Sequence, residues 1–213
     1  MCVLDAVSTR LVRSTARFGK KDMTETITAP GIAAGTWHID PGHSEITFSV
    51  RHMMTTVRGG FTDFGGRIEI AEDPFASVAH AEITIASIDT RNAERDELIR
   101  SAQILDAANH PHVTFTATAV SPGRTGRRAR HPRYTVDGDL TVRGITRPVS
   151  LLTEFHGADV DQWGAVRAGF TASTRILRSD YGIEFNIPLQ GDRLMLGDEI
   201  EVGMEIQAVL ADS

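Results

Sequence analysis

GHSEITFSVRH, residues 42–52, is the stretch from which the fold is read. From Glu45 onward, Ile46, Phe48 and Val50 alternate with Glu45, Thr47, Ser49 and Arg51, the period-two pattern of a strand with one buried face. The apolar row runs into His52, and whether that histidine is a ligand, a catalyst or a filled core position depends on what surrounds it.

The alternation recurs along the chain. Residues 113–119 set Val113, Phe115, Ala117 and Ala119 against three threonines, and residues 134–142 set Tyr134, Val136, Leu140 and Val142 against Thr135, Asp137, Asp139 and Thr141. From Ile200 to Leu210, Ile200, Val202, Met204, Ile206, Ala208 and Leu210 face one way while Glu199, Glu201, Glu205 and Gln207 face the other. Segments 66–71, 78–88, 147–156 and 164–174 continue the series, and Pro74, Pro122, Gly157 and Gly191 fall between segments, where turn residues belong. Only TRNAERDELIRSA, residues 90–102, changes period: Thr90 as cap, Glu94 in the early turns and a Leu98, Ile99, Ala102 stripe predict one helix.

Some eight or more antiparallel strands with one apolar face each must close into a barrel or stack as a sandwich, and closure leaves no edge to protect. An all-β fold is expected. A barrel of about eight strands is either filled by side chains or holds one small ligand. Small residues on inward rows, Ala117, Ala119, Ala168 and Ala172, leave room inside. Composition alone favours large facing residues as what fills it.

With 213 residues and 41% hydrophobic content, the chain supports one sizeable core. A net charge of −6 with acids and bases well mixed sets up no field that attracts nucleic acid or an anionic membrane. The only cysteine, Cys2, excludes an internal disulfide and fits a reducing cytoplasm. Asp5 and Arg10 interrupt the first apolar run, and Met23 reads as an alternative start. Residues 1–35 are therefore expected to be a disordered tail before a barrel domain of residues 36–211. No segment approaches the roughly 18 apolar residues of a membrane span.

Four motifs in order, GTWHIDPGHSEITFSVRHMMTTVRGGFTDFGGRI, SIDTRNAERDELIRSAQILDAANHPHVTF, DGDLTVRGITRPVSL and LRSDYGI, spread between Trp37 and about Leu210, resemble the YceI-like family of polyisoprenoid-binding proteins. The resemblance implies an extended eight-stranded antiparallel lipocalin-like barrel, capped by the helix around residues 91–101. It also implies an apolar lumen for an isoprenoid or quinone-type lipid, with no catalysis and no other cofactor. Two departures stand out: Leu98 replaces the histidine usual in the helix motif, and Ile104 and Leu105 replace the usual paired phenylalanines. Both keep the helix surroundings apolar.

On that reading the lumen candidates are Phe48, Val50, His52, Phe61, Leu98, Ile104, Val113, Phe115, Ala117, Leu140, Val142 and Phe170. His52 is expected to be buried and neutral with one backbone partner. Arg95, Asp96, Arg178 and Asp180 are candidates for a polar head group, or else meet as an ion-pair network closing the mouth.

Asp40, His43 and Ser44 contain the letters of a catalytic triad, but DPGHS reads as a capped turn and no catalytic residue is expected. His110 and His112 share one side of an extended segment without a third ligand, so no metal site is expected. RTGRRARHPR, residues 124–133, is a basic loop suited to transient contact with anionic lipid, and it lacks the interleaved aromatics that nucleic acid would stack on. The expected function is non-catalytic binding, sequestration or transport of a polyisoprenoid or similar amphiphile by a cytoplasmic homodimer. The rivals are a filled-core dimeric interaction or stress-related protein and an enzyme acting on the lipid.

Overall fold

Most of the alternating segments form single strands, but three strands are bent partway. β1 (Gly35–Ile39) breaks at Pro41–His43, where Asp40 accepts a 3.0 Å hydrogen bond from the Gly42 amide, and resumes as β2 (Glu45–His52). Proline has no amide to give a ladder, so the strand yields there. β3 (Thr55–Phe61) and β4 (Phe64–Ile70) are halves of a second bent strand, and β5 (Val78–Thr84) and β6 (Ile88–Asp89) of a third. The helix α1 (Ala93–Arg100) follows, then β7 (His112–Pro122), β8 (Arg133–Val142), β9 (Ile145–Val160), β10 (Val166–Leu177) and β11 (Leu196–Leu210). The computed structural model describes residues 31–123, 130–189 and 194–211.

All ladders are antiparallel, and the sheet closes because β11 pairs with β2 through Leu196–Glu205 and with β1 through Ala208–Leu210. Counting each bent strand once, the ring is β1/β2, β3/β4, β5/β6, β7, β8, β9, β10, β11 and back, an eight-stranded barrel. One end carries the β2–β3 hairpin, α1 and the β8–β9 turn; the far end carries the β4–β5, β7–β8 and β9–β10 connections.

Apolar clusters close both ends. Trp37, Phe155, Ala168 and Ala208 pack at the far end, joined by Ile32, Ile68, Tyr134 and Phe170. The Trp37 indole is wholly buried and donates from Nε1 to the Ala33 carbonyl at 3.1 Å, so the segment just before β1 belongs to this plug. Ile85, Val113, Val142, Tyr181 and Ile183 pack at the helix end with Ile104 and Leu105.

Several expectations need correction. The helix cap is Asn92, whose side chain accepts from the Arg95 amide at 2.9 Å, while Thr90 hydrogen-bonds Asp96 instead. Ala119 faces outward, because a bulge between Ala117 and Ala119 shifts the register and turns Val120 into the lumen. Gly157 is no turn: β9 runs through it at φ +116, a conformation that favours glycine, beside a bulge opposite Gly169 and Phe170. Residues 1–30, Arg124, Arg127, Arg128 and Gly191 lie outside the described residues.

Candidate functional site

Between the two plugs the barrel encloses an apolar cavity of about 460 Å³. Phe48, Val50 and Phe61 line it from β2 and β3, and Val113, Phe115 and Ala117 from β7. Leu140 and Val142 from β8, Phe170 from β10, and Leu98 and Ile104 from α1 and the segment after it complete the apolar candidates, all of them on the wall. Strand alternation puts them there, and Gly138 helps: a Cβ at that position would strike the Phe115 ring, so glycine lets the ring lie across β8.

His52 is also on the wall, but it is only half buried, and its ring makes no hydrogen bond among the described residues. The expected backbone partner is missing because β2 ends at this residue, beside the hairpin, where its carbonyl accepts from the Thr55 hydroxyl.

The four polar candidates do not meet as a network. Asp96 is buried and accepts from the Thr90 amide at 2.9 Å and the Thr90 hydroxyl at 2.5 Å, which ties α1 to the end of β6. Arg178 is buried on the cavity wall, with Nε donating to the Gly197 carbonyl at 3.0 Å and Nη1 to those of Ile183 at 2.7 Å and Phe185 at 2.8 Å. Asp180 is exposed, and its main-chain carbonyl accepts from Arg147 Nε at 3.1 Å. Arg95 lines the cavity, held by Thr90 through Nε at 2.7 Å and Nη2 at 2.6 Å. Both arginines therefore keep guanidinium hydrogens at the cavity wall, Arg95 on Nη1 and Arg178 on Nη2.

Two further polar groups on the wall have no partner. The hydroxyls of Tyr134, at the far end, and Tyr181, at the helix end, are buried and unbonded among the described residues. Burial pushes the Tyr181 phenol up to about 12 and raises that of Tyr134, so both remain protonated donors at neutral pH. A buried hydroxyl without a partner calls for an explanation, and an acceptor carried by a ligand is one. Alternation had already turned Tyr134 inward, but no sequence pattern shows that a hydroxyl lacks a partner.

The wall has a slot between β9 and β10. The β9–β10 ladder stops at Leu152 opposite Ser173, and below it Thr174–Leu177 pair only with β11 while Ile145–Leu151 pair only with β8. An outer groove runs from this split to β2 and β3; Val149, Thr174, Ile176 and Tyr181 line both groove and cavity on the one side, and Phe48, Val57, Phe61 and Arg95 on the other. Leu152 and Leu177 stand exposed beside it.

The triad letters form no relay. His43 Nδ1 lies 2.9 Å from Asp40, but the Ser44 hydroxyl is engaged by the Gln207 main chain, donating at 3.2 Å and accepting at 3.0 Å. His112 Nδ1 lies 3.6 Å from Glu82, and His110 is not part of any group of three potential metal ligands among the described residues.

Fold and lumen together define a lipocalin-like antiparallel barrel with an enclosed apolar interior. The YceI-like domain model matches residues 37–208, and the chain belongs to that family. A UPF0312 protein of Vibrio vulnificus is 35% identical over 162 residues, covering 75% of this chain and 80% of the relative. One of Yersinia enterocolitica is 33% identical over 188 residues, covering 86% and 91%. Among solved structures, Burkholderia cenocepacia BcnA superposes with a TM-score of 0.65 at 19% identity, over 79% of this chain and 98% of that one. A polyisoprenoid binding domain from Saccharophagus degradans gives 0.62 at 14% identity, over 84% and 100%. At these identities the solved structures speak for the fold.

Proposed function

We propose that the protein binds a polyisoprenoid, or a similar long-chain amphiphile such as a quinone-type lipid, inside the barrel and performs no chemistry on it. The apolar cavity of about 460 Å³ carries this reading, and the polyisoprenoid-binding neighbour supports the ligand class. A cavity of about 150 Å³ accepts one benzene, so this one takes about eighteen carbons, between three and four isoprene units. Each unit gains on the order of 4 kcal/mol by burial before ordering costs. The bilayer offers the tail the same gain, so the protein competes by enclosure and releases through an opening, for which the β9–β10 slot is the candidate.

Tyr181 and Arg95 are the donors offered to an oxygen on the ligand. Titration of the lipid-stripped protein with a twenty-carbon isoprenoid alcohol, followed by tryptophan fluorescence, should saturate at one equivalent; a linear, unsaturable response would refute the proposal.

The reading extends to transient membrane contact at the far end. Trp163 and Val160, both well exposed, flank the β9–β10 connection there, and the basic residues 124–133 join β7 to β8 at the same end. Neutralising Arg124, Arg127, Arg128 and Arg130 should weaken binding to anionic vesicles at low salt and leave lipid affinity in solution unchanged; equal loss in both would place this segment in the lipid site. The protein acts, on this reading, in the cytoplasm as a homodimer, which cell fractionation and light scattering check.

A further inference from the structure

Three side chains at the far end, which the lumen does not use, converge on the outer surface. His131, just before β8, and Glu154 and His156 on β9 each offer one ligand atom, and these atoms lie within 4.8 Å of one another. Glu154 and His156 are two residues apart on an extended strand and share its outer face, while Phe155 between them goes into the core.

His156 owes its position to the bulge. Gly169 faces Gly157 and Phe170 faces Phe155, so His156 is the extra residue with nothing opposite. Bulges re-aim side chains and collect beside functional sites. This one sets the His156 ring edge-on to that of His131, with centroids 4.9 Å apart and planes at 72°. The Thr171 hydroxyl lies 3.0 Å from His156 Nε2, a partner from β10 of the kind that orients ligating imidazoles. Glu154 is held at Oε2 by Arg133 Nε at 2.8 Å, so one carboxylate oxygen stays clear of that bond.

We infer that His131, Glu154 and His156 form a site for a divalent transition-metal ion of the zinc class, with water completing the coordination. Two imidazoles and one carboxylate suit Zn²⁺, Co²⁺, Ni²⁺ or Cu²⁺, whereas Ca²⁺ and Mg²⁺ take oxygen ligands. Tetrahedral ligands with bonds of about 2.0–2.1 Å stand about 3.3 Å apart. Rotation of the exposed His156 ring and its partly exposed neighbours closes the remaining distance. The ion takes the Glu154 oxygen that Arg133 leaves clear and ties the start of β8 to β9.

The test is titration of the full chain with Zn²⁺ against a chromophoric chelator, with Co²⁺ absorption reporting a tetrahedral site. One saturable equivalent is expected, weakened about tenfold or more by His156→Asn. Arg133→Gln should tighten binding severalfold, because it frees the carboxylate from a competing cation. His110→Asn combined with His112→Asn should change nothing. Glu154→Gln, which should also weaken binding, decides the matter if His156→Asn lowers the melting temperature. Absence of a saturable equivalent, unchanged affinity in His156→Asn or Glu154→Gln, or loss of the equivalent in the His110/His112 variant would each overturn the site.

Discussion

Ala117→Trp tests whether the lumen is space for a ligand. Ala117 is 6% exposed, lies on the cavity wall and sits opposite Gly138 in the β7–β8 ladder, so a larger side chain there enters the cavity. Benzene fills about 150 Å³ and an indole roughly a third more, so the new ring takes about 200 Å³ of the 460 Å³ present. That removes room for about eight carbons, or about 6 kcal/mol of gross burial at 0.8 kcal/mol per methylene. If only a quarter survives ordering costs and competition from the bilayer, about 1.5 kcal/mol remains, roughly a tenfold loss of affinity. Stability should move little, because the indole occupies free volume, whereas overfilling a packed core costs about 1–3 kcal/mol. Thermal unfolding and extracted lipid are measured on the same preparation. A variant that melts normally and keeps the parent's lipid would refute the assignment of this strand face, and severe destabilisation of a parent that carries no lipid would refute the open lumen.

Other substitutions separate ligand contacts from structure. Tyr181→Phe removes a buried hydroxyl without a partner, so the lipid-free protein should be unchanged or up to about 1 kcal/mol more stable by denaturant titration. The same change should weaken binding of an oxygen-bearing isoprenoid about threefold to tenfold and leave its hydrocarbon analogue unaffected; equal effects on both would remove Tyr181 from the head-group role. Arg178→Ala leaves the Gly197, Ile183 and Phe185 carbonyls without their donor and should cost about 2–4 kcal/mol in urea unfolding, a loss under 1 kcal/mol arguing against a structural role. Arg167 donates to Asp40 at 2.6 Å and to Asp161 at 2.7 Å, and these bonds hold both carboxyls below their ordinary 3.8. Stability from carboxyls lowered in the folded state is complete above their unfolded value and drains as pH falls through the folded ones. The stability gap between parent and Arg167→Gln should therefore be constant above about pH 5 and shrink below 3.8. A gap that widens on acidification contradicts this.

The barrel and its wall were legible because period-two alternation reports which face of a strand is buried: Phe48, Val113, Phe115 and Leu140 all lie on the apolar row of their segments and on the cavity wall. It failed wherever the ladder slips. Ala119 and Gly157 were misplaced because a bulge depends on the neighbouring strand, which one segment's own pattern does not contain. The helix cap is Asn92 rather than Thr90 because Asn92 takes the Arg95 amide while the Thr90 hydroxyl is held by the Asp96 and Arg95 side chains, contacts that the cap pattern alone does not contain. His131 was hidden for a different reason: it lies more than twenty residues from Glu154 and His156, and only the pairing of β8 with β9 brings them together. Arg178 shows the limit for polar groups, since its charge suggests a head-group contact while only the structure shows three main-chain carbonyls holding its Nε and Nη1.

The central claim is that the lumen holds an isoprenoid-class lipid. Mass spectrometry of an organic extract of the purified protein, quantified against protein concentration, tests it most directly. The account predicts one dominant isoprenoid-bearing species near one equivalent per chain, reduced about tenfold in Ala117→Trp. A parent extract without lipid, from protein that also fails to take up an added isoprenoid, would contradict it.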